Sequence, residues 1–294
     1  MKTLSPLRYP GGKTRIRKMI QAVITENQPI DTFIEAYAGG AGLGLWLLDK
    51  SIINHLVIND KDEFIYKMWH SVFFNTDELI KKIIATSINV EEWEKQRQLI
   101  TNSDVLMKST FFEIGFAALF LNRCNRSGII RSDVGPIGGK KQNSKWKIDV
   151  RFNKETIIEK IRYIASKKKQ ISLHNLDAID LIEMYDSSNK TDTKPLFYLD
   201  PPYYKNGDSL YRSYYRDENH RELREYLINK KHLRWVLSYD NSEFIQELYN
   251  EFNVHQFNIS HHANKVKNGK ELIITTNEII WLELIENNYS INNN

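Results

Sequence analysis

Cysteine is nearly absent: Cys124 is the single one among 294 residues. That excludes an intramolecular disulfide framework and suits a reducing cytoplasm, the expected location. No apolar run approaches the roughly 18 residues of a membrane span, and the opening residues lack the apolar core of a secretory signal. There is no internal repeat and no long low-complexity linker, so the chain reads as one large α/β domain or a domain with a sizeable insertion. Metal ligands are scarce too. His261 and His262 are adjacent rather than spaced for one helix face, and no cysteine or second histidine pair joins them. No metal site is expected.

What is present is an ordinary soluble composition, 41% hydrophobic and 27% charged, with a net charge of +4. That balance conceals an asymmetry. Leu121 to Gln170 holds fourteen Lys/Arg against four Asp/Glu, a local excess of +10, so the remainder sums to −6. Such an excess is the footprint of a polyanion partner, or else a solvated basic face. Gly128, Gly135, Pro136, Gly138 and Gly139 interrupt it, which argues against a smooth helix face.

Asp31 to Tyr37 reads as a strand entering a glycine turn at Gly39-Gly40-Ala41-Gly42, followed by a helix over Leu43 to Lys50. His55 to Asp60 reads as a second strand ending in an acid. Helical spacing then takes over from Lys61 to Phe120, and Asn122 to Phe152 is turn-rich and basic. After a helix near Lys154 to Ala165, strands are expected at Ile171–His174, Leu196–Leu199, Trp235–Ser238, Val254–Ile259 and Leu272–Thr275. The simplest architecture is a doubly wound α/β domain split by about ninety residues, with its last two strands paired antiparallel at one edge.

The most specific stretch is Asp200-Pro201-Pro202-Tyr203, which closes the apolar run Pro195 to Leu199. Ligand chemistry in open α/β sheets gathers beyond the carboxyl ends of such strands. Asp200 offers an acceptor, Pro201 a backbone carbonyl in a stiff turn, and Tyr203 a ring face. Together they can grip a planar amino group and present it to an activated methyl. The turn Gly39 to Gly42 lets a ligand approach the backbone at the positive end of a helix. It lacks the Lys-Ser/Thr pair of a P-loop, and Asp60 lies about twenty residues on, where an acid can accept ribose hydroxyls. A hydride cofactor fits that half equally well, but not the Asp200 string; the two together favour S-adenosylmethionine. Leu7 to Lys13 reads as an anion cradle or as a plain loop and cap. Asp177 reads as a contact to the cofactor's adenine or as a helix cap.

These residues, in this order, resemble the Dam-type (D12 class) DNA adenine-N6 methyltransferases, and the resemblance spans Leu7 to about Asn277, including the closing segment Lys270 to Asn277. It implies a Rossmann-like methyltransferase fold with a seven-stranded mixed sheet, its last strand antiparallel. Residues 1–62 and 154–294 would form the methyltransferase domain, and 63–153 an inserted, mostly helical target-recognition domain with a basic hairpin. By resemblance, Tyr9, Lys13, Glu35, Tyr37, Gly39, Gly40, Gly42, Asp60, Asp177 and Asp200 face S-adenosylmethionine. Asp200 and the Pro201 carbonyl hold the target amino group, Pro202 completes the catalytic string, and Tyr203 stacks on the flipped base. Arg8, Arg123, Arg126, Ser127, Arg131, Lys140 and Lys141 contact DNA, Arg123 at a phosphate and Arg131 at a guanine edge. Enzymes of this type acting on GATC carry an aromatic and an Asn where Arg126 and Ser127 stand, which leaves the recognised sequence open.

The implied partners are duplex DNA and a cognate restriction endonuclease, with the protein acting as a monomer. Methylation of RNA and a catalytically silent DNA binder are the competing readings; the intact Asp200 to Tyr203 string speaks against the second. Asn206 to Arg216 reads as a lid or as a surface loop, and Trp93, Trp146 and Trp235 as packing residues.

Overall fold

A computed structural model describes residues 3–8, 13–188, 195–205, 215–261 and 267–281. Seven strands form one sheet: β1 (Thr32–Glu35), β2 (His55–Asn59), β3 (Ile171–His174), β4 (Leu196–Leu199), β5 (Arg234–Asp240), β6 (Asn253–His261) and β7 (Lys267–Thr275). Their order is β3-β2-β1-β4-β5-β7-β6. The first five are parallel, and β7 runs antiparallel to both its neighbours. Phe33, Ile34, Leu56, Val57, Ile58, Leu196 and Leu199 are buried because both faces of these strands are covered, the reason they read as continuous apolar runs. The chain winds outward from β1 through β2 and β3, then crosses back to β4. The switch point of the sheet therefore lies between the carboxyl ends of β1 and β4. This is the doubly wound methyltransferase fold with its antiparallel closing strand.

One face carries α1 (Arg17–Glu26), α2 (Gly42–Asp49), α3 (Glu63–Phe74) and, further along, α8 (Lys154–Ser166). Between β2 and β3 the chain also forms α4 (Thr76–Ala85), α5 (Val90–Thr101), α6 (Ser103–Lys108) and α7 (Phe111–Cys124). These start where caps allow. Asp62 accepts the Phe64 N–H, Asn89 that of Glu92, and Thr110 with Glu113 forms a capping box. Trp69, Trp93, Phe116 and Phe120 belong to the same buried cluster as Phe33, Leu56 and Leu196, so residues 63–124 share the core of the sheet. The other face is covered by α9 (Ala178–Ser188), α10 (Asp217–Ile228) and α11 (Glu243–Leu248), through Leu181, Leu223, Leu227 and Ile245. Among the described residues no helix is long and apolar enough to cross a membrane.

Three local differences from the sequence reading have physical reasons. β7 begins at Lys267, five residues before its apolar run, because its polar half pairs with Asn258 to His261 of β6. The basic segment after α7 turns back on itself with one bridge, Asn125 to Pro136, in place of strands. Ser127 at φ 57° and Gly128 at φ 77° break any extended ladder there. Trp146 was expected to pack; it is 60% exposed among Lys145 and Lys147, whereas Trp93 and Trp235 are buried.

Candidate active site

At the switch point lies a cavity of about 480 Å³, within the usual range of small-molecule sites. Its floor is acidic. Glu35, the last residue of β1, is 5% exposed; its Oε1 accepts the Gly44 N–H at 3.1 Å, while Oε2 is buried with no hydrogen-bond partner among the described residues. A Cβ on Gly44 would stand 2.3 Å from Leu56 Cδ1 and 3.1 Å from Glu35 Oε2, so only glycine lets α2 approach this carboxylate. Burial pushes Glu35 up to about 8; the Gly44 N–H opposes this, and Asp200 adds to it. Asp60, just past β2, accepts the N–H groups of Gly39 and Asp62 at 2.8 and 2.9 Å. Burial, then the Asp62 charge, raise it to about 7.

The turn between β1 and α2 is shaped by Gly39 at φ 47° and Ala41 at φ 46°. It is anchored by the Trp69 indole N–H, which donates to Gly39 O at 2.9 Å. Asn59 ties the strand ends together. Its Nδ2 donates to Ala36 O and Leu176 O, and its Oδ1 accepts the Leu176 N–H. Asp177 takes the cap role: Oδ1 accepts the Ile179 N–H of α9 at 3.0 Å, while the side chain lines the cavity beside Lys61, whose Nζ is 2.8 Å from Oδ2. Tyr37, Gly40 and Gly42 line the same space, and the Tyr37 hydroxyl lies 2.7 Å from that of Tyr215.

Asp200 and Pro202 also line the cavity. The Asp200 Oδ1 lies 2.9 Å from Lys13 Nζ and accepts the Ser238 hydroxyl at 2.8 Å. Lys13 is 7% exposed, donates to the Tyr203 hydroxyl and sits 4.6 Å from that ring's centre. The Tyr203 hydroxyl donates to Glu271 Oε1 at 2.8 Å, and Lys13 is 3.5 Å from Glu271 Oε2. Burial works against the Lys13 ammonium, but Asp200, Tyr203 and Glu271 outweigh it and raise its pKa well above 10.5. Burial likewise raises Asp200, with Lys13 opposing.

The opposite wall is basic. Arg8 and Arg123 reach the cavity beside Ser127 and Gly128. What their guanidiniums touch is backbone: Arg8 Nη1 donates to Asn125 O at 3.3 Å, and Arg123 Nη1 to Pro6 O at 3.5 Å. Burial, then Arg8, lowers Arg123 to about 10. Asn122 locks this wall together: it accepts the Arg8 N–H and donates to Arg8 O and Gly128 O, all within 2.8 Å. A Cβ on Gly128 would stand 2.4 Å from Arg8 O, so the close approach requires glycine there.

Residues 9–262 match the family described as D12 class N6 adenine-specific DNA methyltransferases. The chain belongs to that family. It is 23% identical over 316 residues to Modification methylase StsI of Streptococcus sanguinis, an alignment covering 96% of this chain and 44% of that protein. It is also 23% identical over 275 residues to Type II methyltransferase M.MjaIII of Methanocaldococcus jannaschii, covering 84% and 88% respectively. The chain thus spans less than half the length of the first relative and most of the second.

Not every residue singled out in this methyltransferase meets at the cavity. Arg131 lies outside it and forms a two-pronged ion pair with Asp133, at 3.0 and 2.9 Å. Lys140 pairs with Glu94 at 2.6 Å, and Arg126 and Lys141 are exposed. Tyr9 and residues 206–214 of the expected lid lie outside the described residues. Sequence reasoning missed Glu271, Ser238, Asp240 and Asn122. The first is an acid heading an apolar strand run, a signal that was readable; the others carry no local signal.

Proposed function

We propose that this methyltransferase moves a methyl group from S-adenosylmethionine to the N6 nitrogen of an adenine flipped out of a short duplex DNA site. The observation that carries this reading is one cavity joining three features: an acidic floor in which a buried Glu35 oxygen has no partner among the described residues, the Asp200 turn at the sheet's switch point, and a basic rim. The residues fit the cofactor. Glu35 has a buried oxygen without a partner for an ammonium or hydroxyl, the Gly39 to Gly42 turn is open to the cavity, and Asp60 and Asp177 keep acceptor capacity beside their backbone bonds. Lys13, Glu35 and Tyr37 would hold one end, Asp60 the ribose and Asp177 the adenine; Tyr9 joins them on resemblance alone. When bound, S-adenosylmethionine supplies an electrophilic methyl on a sulfonium.

Asp200 and the Pro201 carbonyl accept the two hydrogens of the target amino group and aim its nitrogen. Pro202 stiffens the turn and Tyr203 borders the base. The nitrogen becomes acidic as it gains the methyl, so Asp200 need not be a strong base beforehand; it receives or relays the released proton. In-line placement and favourable electrostatics for charge growing on nitrogen supply most of the rate. A flipped base is required because a paired N6 is out of reach. Arg8, Arg123, Arg126, Ser127, Arg131, Lys140 and Lys141 serve the DNA, with 63–153 as the target-recognition unit and 1–62 with 154–294 as the catalytic one. The setting is a cytoplasmic restriction–modification system, phage or solitary methylase, the protein working as a monomer, with a cognate endonuclease in the first case. The relatives' names support the modification role.

Modification-sensitive long-read sequencing of unmethylated DNA, after incubation with protein and S-adenosylmethionine, tests this directly. N6-methyladenine at a recurring short motif is the expected outcome. Marks on RNA alone, or none on either polymer, would remove the DNA methylase reading.

A further inference from the structure

Glu271 lies directly opposite Asp240 across the β5–β7 pair. Residues in that relation point to the same face, and like charges there repel. Each acid is instead directed at the turn beginning at Asp200. Asp240 accepts the N–H groups of Tyr204 and Lys205 at 2.8 and 3.1 Å. Glu271 accepts the Tyr203 hydroxyl at 2.8 Å and is 3.5 Å from Lys13. Ser238 of β5 adds a third tie, to Asp200 itself. Two neighbouring strands therefore hold Asp200, Tyr203, Tyr204 and Lys205 of one turn from below.

Glu271 is 3% exposed, and the single ammonium of Lys13 is shared between it and Asp200. Apolar side chains would hold β7 to the sheet at least as well as a buried ion cluster. What charge adds at this place is direction: it fixes where the Tyr203 hydroxyl and the Lys13 ammonium sit, and through them the Asp200 carboxylate.

We propose that Glu271 is a positioning residue for methyl transfer, holding the Asp200–Tyr203 turn in its working geometry through the Tyr203 hydroxyl and the Lys13 ammonium. This rests on the reading of Asp200 as the group that holds the target amino nitrogen.

The test uses the full chain with Glu271→Gln, Tyr203→Phe, both together, and Asp200→Asn. Each is assayed for kcat and KM on unmethylated genomic DNA, for S-adenosylmethionine binding by calorimetry, and for thermal unfolding. Glu271→Gln is expected to lower kcat about 10- to 100-fold, the scale of a misplaced reacting group. Cofactor affinity should fall much less than kcat, since Lys13 keeps its 2.9 Å contact to Asp200 when Glu271 is changed. The double variant should be no slower than its slower parent, because Glu271→Gln removes the charge and Tyr203→Phe the hydroxyl of one coupled Lys13–Tyr203–Glu271 cluster. Wild-type kcat in Glu271→Gln, multiplying losses in the double variant, or a parallel fall in cofactor affinity would each overturn the proposal. Tyr203→Phe alone carries the same expected loss, so the outcome is decided even if Glu271→Gln unfolds. Full activity of Asp200→Asn would instead sink the reading of the turn itself.

Discussion

The two walls of the cavity solve opposite electrostatic problems by the same means. The floor, at the ends of β1, β2 and β4, gathers Glu35, Asp60 and Asp200 with Lys13 as the buried cation among them. The rim, from the first described residues and the last turn of α7, gathers Arg8 and Arg123, whose guanidiniums rest on backbone carbonyls. In each wall burial and a neighbour of like sign push pKa values toward the neutral form: up for Glu35, down for Arg123. Neither wall neutralises the other across the cavity. The difference lies in construction: the floor hangs from the ends of β1, β2 and β4, tied by Asn59, whereas the rim rests on the last turn of α7 and the turn after it, clamped to the Arg8 backbone by Asn122.

The sharpest way to break this contrast is to remove the floor's reactive acid. Asp200→Ala is expected to reduce methyl transfer by at least about 100-fold, with S-adenosylmethionine binding by calorimetry largely retained. Loss of both together would mean that Asp200 holds the floor up and does not act on the target.

The second test concerns the cost of the unpaired floor. Glu35 has a folded-state pKa near 8, above its unfolded value of about 4.3. The folded protein therefore binds the extra proton, and stability falls as pH rises from about 4.5 to 8. Glu35→Gln should remove that loss, raising the ligand-free unfolding temperature at pH 8 while leaving it nearly unchanged at pH 4.5. The gain is on the order of a few kcal/mol at most. A variant less stable than wild type at pH 8 would show that the floor stabilises the fold as an anion.

The third and smallest test moves beyond the rim, to Arg131 outside the cavity. Arg131→Ala is expected to relax recognition at one base by about 1–3 kcal/mol, read as secondary motifs in the sequencing assay. An equal loss at all sequences would make Arg131 a phosphate contact. Because Asp133 engages Arg131 in the free protein, Asp133→Asn should strengthen DNA binding, by less than about tenfold for so exposed a pair.

The same contrast governs how much the sequence disclosed. The floor was legible because its strands are short apolar runs that end in acids: Leu196 to Leu199 before Asp200, Leu56 to Ile58 before Asn59-Asp60. Buried strands and the residues just beyond them leave a continuous pattern. The rim left only composition. That Arg8 is clamped by Asn122, 114 positions away, follows from packing and not from any period. The polar half of β7 was invisible for the same reason, since Lys267 to Lys270 form strand by pairing with β6. Trp146 misled because a large aromatic is normally covered, and here the loop is too polar to cover it.

The contact between Lys13 and Glu271 also carries a consequence in time. It joins positions 258 apart in the chain. During synthesis the amino-terminal turn, the sheet's first four strands and Asp200 itself all emerge well before β7. Until that strand docks, Lys13 has one carboxylate beside it in place of two and the Tyr203 hydroxyl lacks its Glu271 acceptor. A growing chain would thus carry the acidic floor before the turn from Asp200 to Lys205 is fully tied from below.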